Sequence, residues 1–126
     1  MEMSQTGDQT LLILTTLPDE VSAQTLATML VSERLAACVN VLAPCRSVYR
    51  WQGAIENAQE VQLLIKTTTA RYADLEAAIR AAHPYELPEI IAVPVAHGLP
   101  EYLSWVVAET RTETLAEAAN GNHPTC

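Results

Sequence analysis

The stretch Glu60-Val61-Gln62-Leu63-Leu64-Ile65-Lys66 decides the fold class, because apolar and polar residues largely alternate along it. Val61, Leu63 and Ile65 point to one side of the chain, whereas Glu60, Gln62 and Lys66 point to the other. An apolar residue at every second position is typical of a β-strand with one buried face. The sequence therefore predicts a sheet with a core on one side and charged groups on the other.

The residues before this stretch predict its partner strand. From Ala37 to Trp51 the pattern favours one long strand, interrupted at Pro44. Gln52-Gly53 follows as a tight turn, because glycine readily adopts the positive φ that hairpin turns require. The two strands together predict a long β-hairpin.

The remaining segments place a strand and a helix on either side of this hairpin. They are a buried strand over Leu11 to Thr16, a helix from Pro18-Asp19-Glu20 to about Leu35, a helix from a Thr69 cap to His83 with Tyr72, Leu75, Ile79 and Ala82 on its buried side, an edge strand over Glu89 to Val95 and a third helix from Pro100. The order β-α-β-β-α-β predicts a ferredoxin-like α+β domain over residues 11–110. Residues 1–10 are expected to be a flexible N-terminus and residues 111–126 a mobile tail.

The lengths of these segments predict self-association. A strand of about 14 residues reaches roughly 46 Å, whereas a helix of about 12 residues covers only roughly 18 Å. The hairpin must therefore extend beyond its own helical layer, and its tip carries Tyr49 and Trp51. Because an isolated two-stranded ribbon is marginal in water, we expect it to pack against other copies in a closed homo-oligomer.

Composition excludes several classes of function. A chain of 126 residues is one domain, and its net charge of -8 argues against nucleic acid as a partner. The sequence shows neither a targeting signal nor an apolar run long enough to span a membrane. The three cysteines, Cys38, Cys45 and Cys126, have no CxxC spacing, which favours reduced thiols and a cytoplasmic location.

The bend between the second helix and the last strand is the first candidate site. His83, between Ala82 and Pro84, offers an imidazole nitrogen, and Glu86 and Glu89 offer carboxylate oxygens. Nitrogen and oxygen ligands together suit Zn(II) or Cu(II), provided that a neighbouring strand or subunit completes the site. The alternative is a bend that only ends a helix and starts a strand.

The polar face of the hairpin is the second candidate site. Trp51, Glu60 and Lys66 lie on it and could line a cleft between subunits together with Tyr85. The alternative is an exposed, salt-bridged face that contributes little to stability. The sequence contains none of the motifs GxGxxG, GxxxxGK(S/T), HExxH and GxSxG and no pair of nucleophile and base that can be named, so an enzyme is not expected.

With these segments in place, the chain resembles the CutA divalent-cation tolerance family from about Leu11 to Thr110. The matching segments, in order, are Pro18-Asp19-Glu20, Glu33-Arg34-Leu35-Ala36-Ala37-Cys38-Val39-Asn40, Ser47-Val48-Tyr49-Arg50-Trp51-Gln52-Gly53, Glu60-Val61-Gln62-Leu63-Leu64-Ile65-Lys66-Thr67, His83-Pro84-Tyr85-Glu86, Pro88-Glu89-Ile90 and Tyr102-Leu103-Ser104-Trp105. The resemblance implies a tight homotrimer similar to the PII signalling proteins, in a family with no established enzymatic activity and no required cofactor. Tyr49, Trp51 and Trp105 are then candidates for the trimer interface.

The resemblance also implies binding of copper or other divalent cations. Its proposed copper ligands are a cysteine on the first strand and histidine at the bend, and here the strand position is Thr15 and only His83 is present at the bend. We therefore expect weak binding of Cu or Zn at His83, with Glu86 as a second ligand. Two other hypotheses stay open: a PII-like sensor that binds a small anionic or zwitterionic ligand in the cleft of Trp51, Glu60, Lys66 and Tyr85, and a structural trimer that acts through an unknown protein partner.

Overall fold

A computed structural model describes residues 7–112 and residue 126. Its elements are β1 (Thr10–Leu17), α1 (Glu20–Ser32), β2 (Cys38–Trp51), β3 (Ala54–Thr68), α2 (Thr69–Ala82), β4 (Ile91–Pro94) and α3 (Pro100–Glu109). The strands form one antiparallel sheet in the order β2-β3-β1-β4. This confirms the ferredoxin-like α+β fold with an extended hairpin and a C-terminal helix. The tail predicted over residues 111–126 lies mostly outside the described residues.

The core lies between the sheet and the helices α1 and α2. Leu63 and Ile65 of β3 are fully buried, as the alternation predicted, and they belong to one cluster with Ile13 of β1. Leu30 of α1 and Leu75 of α2 complete the centre of this cluster with no exposed surface. Each such aliphatic side chain contributes about 2 kcal/mol by leaving water, so this layer is what holds the protomer together.

Helix α1 starts where the sequence predicted and ends earlier. The carboxylate of Asp19 accepts a hydrogen bond from the backbone N–H of Ser22 at 2.8 Å and caps the first turn, which lowers the pKa of Asp19. The helix ends at Ser32 rather than near Leu35, because Arg34 takes a left-handed conformation with φ 59°. Sequence pattern could not place this stop, since arginine gives no signal for positive φ.

Helix α2 departs from the prediction in two details. The capping residue is Thr68, whose side chain makes no capping hydrogen bond, whereas Thr69 was predicted as the cap. Ala82 is exposed although the pattern put it on the buried side with Leu75 and Ile79. The stop at His83 is confirmed: its backbone is extended at φ -80° and ψ 136°, as Pro84 requires.

The hairpin of β2 and β3 extends beyond the helical layer, as its length predicted. Its turn has φ 50° at Gln52 and φ 84° at Gly53, and the register shifts between Val41 and Pro44. The 15 residues of β3 reach roughly 50 Å, whereas the 14 residues of α2 cover roughly 21 Å. Beyond Pro44 most residues of β2 are exposed, so no other element of the protomer covers this part of the hairpin.

The sheet face opposite the core carries apolar residues on β1 and β4, in addition to the polar residues predicted there on β3. Leu12 and Leu14 alternate with the core residues of β1 and are half-buried. Their ladder partners on β4, Val93 and Ile91, are 45% and 50% exposed. Among the described residues, no helix combines the length and apolar character needed to cross a membrane.

Candidate functional site

The bend after α2 holds His83 in a closed set of hydrogen bonds. The ring is only 8% exposed, and its Nδ1 accepts a hydrogen bond from the backbone N–H of Tyr85 at 3.1 Å. Since a backbone N–H can only donate, the ring proton must lie on Nε2, which donates to the carbonyl oxygen of Thr16 at 2.7 Å. The imidazole therefore joins the bend to the end of β1, and both of its nitrogens are engaged.

A buried carboxylate lies beside this imidazole. Glu60 of β3 is 8% exposed, although the alternation of β3 predicted it on a charged face. Its Oε2 accepts a hydrogen bond from the hydroxyl of Tyr85 at 2.8 Å and another from the hydroxyl of Thr16 at 3.4 Å. Burial, and then the hydrogen bond to Glu60 and its charge, raise the pKa of Tyr85 well above its ordinary value of 10.0. The phenol therefore stays a hydrogen-bond donor to this carboxylate.

Thr16, Glu60, His83 and Tyr85 form what we call the polar cluster. The rings of His83 and Tyr85 lie 4.8 Å apart between centroids, so the bend, β1 and β3 meet at one point. An acidic oxygen that is shielded from water interacts strongly with a cation or an ammonium group. The only basic side chain of the cluster is the imidazole of His83, whose two nitrogens are already engaged, so the chemistry of the cluster does not favour an anion.

The bend does not bring together a complete set of metal ligands in the protomer. Glu86 and Glu89 are both exposed on its outer surface. Over residues 7–112 and residue 126, no group of three or more His, Cys, Asp and Glu side chains is arranged to hold a metal ion. A cation at His83 would also have to displace one of the two hydrogen bonds of the ring.

The structure unites only part of the predicted cleft. Glu60 and Tyr85 are in direct contact. Lys66 lies six residues further along β3, roughly 20 Å away, where its ammonium group contacts Asn40 and lies 3.4 Å from Sγ of Cys38. Trp51 lies at the hairpin tip, six residues and again roughly 20 Å beyond the ladder partner of Glu60.

The aromatic residues predicted at a subunit interface occupy two regions. Tyr49 and Trp51 lie on the outer part of the hairpin and are 44% and 37% exposed. Trp105 of α3 is half-buried, with its ring 5.6 Å from that of Tyr102. The hairpin aromatics are therefore available to another copy of the chain.

The cysteines correct one expectation. Cys38 and Cys126, predicted as reduced thiols, are paired as a disulfide with their Cα atoms 5.5 Å apart. Only Cys45 is a free thiol among the described residues, and it is exposed. The two partners are 88 residues apart in sequence, so no local spacing could have indicated the pairing.

Of the two threonines at the end of β1, sequence reasoning missed Thr16 and named Thr15 only as a departure from the family pattern. Thr16 supplies both a carbonyl and a hydroxyl to the polar cluster, and its alternation with the core residues of β1 could have placed it beside Glu60. Thr15, at the position where the resemblance put a cysteine, is fully buried. Among the described residues its hydroxyl has no hydrogen-bond partner.

The fold and the polar cluster define a ferredoxin-like protomer with an elongated hairpin and a buried acidic site at the base of that hairpin. The same architecture occurs in solved structures of CutA from Xylella fastidiosa, with 50% identity and a TM-score of 0.80, and of CutA1 from Oryza sativa, with 34% identity and a TM-score of 0.81. The first match covers 82% of this chain and 99% of the other, and the second covers 85% and 98%.

The sequence gives the same family. Residues 11–109 match the family model described as CutA1 divalent ion tolerance protein. The divalent-cation tolerance protein CutA of Thermus thermophilus is 49% identical over 98 residues, which are 78% of this chain and 95% of that protein. The chain therefore belongs to the CutA divalent-cation tolerance family, as the resemblance indicated.

Proposed function

We propose that this chain is a homotrimeric divalent-cation tolerance protein that binds a divalent cation weakly at the bend of His83 and Glu86. The observation that carries the proposal is the buried carboxylate of Glu60, held next to the bend by Tyr85. Its negative charge lowers the electrostatic potential around His83 and so favours a cation there.

Uncovered apolar surface supports the trimer. Val48 and Ile55 of the hairpin are 65% and 66% exposed, and Ile91 and Val93 of β4 add a second apolar region on the sheet. Both β2 and β4 are edge strands, so their outer hydrogen-bonding groups can pair with another chain. A neighbouring subunit that packs against these surfaces would lie close to the bend and could supply the ligands that one protomer lacks.

The geometry also explains why the affinity should be low. A metal at Nδ1 of His83 must displace the N–H of Tyr85, and a metal at Nε2 must break the bond to Thr16. Glu86 can approach from solvent because it is exposed, at the cost of ordering its side chain. Harder ions that accept oxygen ligands fit this site better than Cu(I), which prefers thiolates.

Calorimetric titration of Zn(II) and Cu(II) into the trimer tests the site. We expect His83→Ala and Glu86→Gln each to weaken binding at least tenfold relative to the unmodified chain, because the loss of even an outer-shell partner of a metal ligand typically costs about tenfold or more. His97→Ala is the matched control, because His97 is an exposed histidine on the loop after β4. Unchanged isotherms in both site variants, or an equal loss in the control, would overturn the assignment.

The contact between Glu60 and Tyr85 favours a second candidate, a PII-like sensor with a small ligand between subunits. The acidic cluster indicates a ligand with an ammonium group rather than a purely anionic one. A thermal-shift screen of zwitterionic and anionic metabolites against the native chain and Glu60→Gln would test it. A stabilising hit that is lost in Glu60→Gln supports the sensor, and no hit at millimolar concentration counts against it.

A further inference from the structure

The disulfide joins one buried and one exposed residue. Cys38 is the first residue of β2 and is 3% exposed, whereas Cys126 is exposed. Their Cα separation of 5.5 Å lies in the usual range for disulfides. Cys38 lies within residues 11–109, which match the family model, whereas Cys126 lies beyond them. An outside thiol can reach the sulfur of Cys126 far more easily than that of Cys38.

A cation lies next to the buried sulfur. The ammonium group of Lys66 is 3.4 Å from Sγ of Cys38. Cys38 and Lys66 are direct partners in the β2–β3 ladder, so the sheet itself holds the two side chains together. A neighbouring ammonium group stabilises a thiolate, which makes Cys38 a good leaving group when the disulfide is attacked.

We propose that Cys38 and Cys126 form a reversible thiol–disulfide exchange site for low-molecular-weight thiols of the glutathione class. The thiolate of the small molecule attacks Sγ of Cys126, the protein disulfide breaks, and its electron pair passes to Sγ of Cys38, which leaves as a thiolate beside Lys66. A second small thiolate then attacks the sulfur of the small molecule that is bound to Cys126 in the mixed disulfide. This step releases the thiolate of Cys126 and the oxidised small molecule, so two electrons pass to the protein, and the reverse sequence restores the disulfide.

The exchange changes the surface along the edge strand. In the oxidised state Cys126 forms part of a groove between α1 and the start of β2, together with Val31, Val39 and Val41. Breaking the disulfide releases residue 126 from that groove. The redox state of the small-thiol pool thus decides whether Cys126 occupies the groove between α1 and the start of the edge strand β2. This does not depend on any cation at the bend.

Equilibration of the full chain in mixtures of reduced and oxidised glutathione tests the proposal. After trapping with an alkylating reagent, we expect a reduced form with all three cysteines labelled and an oxidised form with only Cys45 labelled and a linked Cys38–Cys126 peptide. Cys45→Ser should show the same transition, and Cys126→Ser should lose it. A pair that stays oxidised in excess reduced glutathione, that never forms, or that involves Cys45 would overturn the site.

Variants of Lys66 test whether its charge promotes the exchange reaction or whether the two cysteines form a disulfide only because they lie close together. Lys66→Met should slow the reduction of the oxidised protein by glutathione roughly fivefold to tenfold, because the leaving thiolate loses its neighbouring cation. Lys66→Arg keeps the charge and should retain most of the rate. Equal rates in the three proteins would remove Lys66 from the mechanism, and the equilibration above decides the proposal even if a Lys66 variant fails to fold.

Discussion

The inner and outer halves of the β2–β3 hairpin share one antiparallel ladder but differ in how far their side chains are buried. The inner half pairs residues 38–41 with residues 63–66, and there Leu63 and Ile65 have no exposed surface. The outer half pairs residues 45–51 with residues 54–60, and there Val48 and Ile55 are about two-thirds exposed. The same two strands thus contribute to the core at one end and form a solvent-exposed two-stranded ribbon at the other.

This difference shows that the features that specify the strand pairing of the hairpin are not the ones that stabilise it. The turn at Gln52-Gly53 and the alternation of β3 specify the pairing along its whole length. Stability comes from the apolar surface that each half covers, and only the inner half has helices above it. Glu60 marks the boundary, since Tyr85 covers its carboxylate where the hairpin leaves the core. Substitutions in the two halves should therefore have different kinds of consequence.

The largest effect is expected in the inner half. Leu63→Ala should lower the free energy of unfolding by about 3 kcal/mol, because it leaves a cavity in a fully buried cluster. Val48→Ala removes a side chain of similar size from the outer half and should cost less than about 1 kcal/mol. Denaturation in urea measures both values at one low protein concentration, where the chain is least associated.

The concentration matters because self-association contributes to apparent stability. If Val48→Ala costs as much as Leu63→Ala at low concentration, where the chain is least associated, the outer half is buried within the protomer. That result would contradict the distinction between the halves.

The second largest effect concerns association. The double variant Val48→Asp/Ile55→Asp places charges on the exposed apolar surface of the outer half, where we propose that another copy packs. We expect trimer formation to weaken at least tenfold, since an unpaired charge in an interface costs more than a lost contact. Sedimentation equilibrium should show the mass falling from three protomers of 13.7 kDa each towards one.

Val21→Asp is the matched control for this variant. Val21 is 77% exposed on α1 and lies outside the hairpin, so the same charge there should leave the mass unchanged. A double variant that keeps the full trimer mass would show that the outer half does not form the interface.

The elements of the fold could be predicted because their signals are local. Alternation in β3, the Gln52-Gly53 turn and Pro84 after α2 each act within a few residues, and each prediction was confirmed. One wrong prediction lies where a distant contact accompanies the departure from the local pattern. Helix α1 ends at Ser32, before Arg34 takes a positive φ, and the carbonyl of Arg34 accepts a hydrogen bond from Arg71 of another helix.

The candidate site was predictable only in part for the same reason. The sequence put Glu60 and Tyr85 in one candidate cleft, together with the more distant Trp51 and Lys66, and made His83 the centre of another candidate site. Their union depends on the register of β1 with β3 and on the bend, which place residues from three segments together. The disulfide depends on a contact across 88 residues, and the pattern gave no hint of it.

The third effect lies at the boundary of the two halves. Tyr85→Phe removes the hydroxyl that binds the buried carboxylate of Glu60 and should cost about 1.5 to 2 kcal/mol, as expected for a hydrogen bond to a charged group. Urea denaturation at neutral pH measures the loss. Tyr102→Phe is the control, because its ring packs on Trp105 away from the cluster.

The pH dependence of the same variant sharpens this prediction. The folded protein raises the pKa of Tyr85 above 10.0, so the unfolded chain ionises first as the pH rises. The stabilisation is complete below about pH 10 and declines above it. Tyr85→Phe should lack that part of the decline. An identical alkaline profile in the native chain and the variant would show that the phenol does not hold the carboxylate.

The smallest effect is expected at the tip. Gly53 has φ 84°, and a Cβ there would meet nothing within 4 Å, so Gly53→Ala tests the backbone alone. In the trimer it should cost about 1 kcal/mol per protomer, because alanine tolerates positive φ poorly. In the Val48→Asp/Ile55→Asp background the cost should shrink, since an outer half without a partner frays before the core unfolds. Hydrogen exchange of the amides near the tip would reveal that fraying directly. An equal cost in both backgrounds would mean that the outer half folds together with the core even without a partner, and the two halves would then be one cooperative unit.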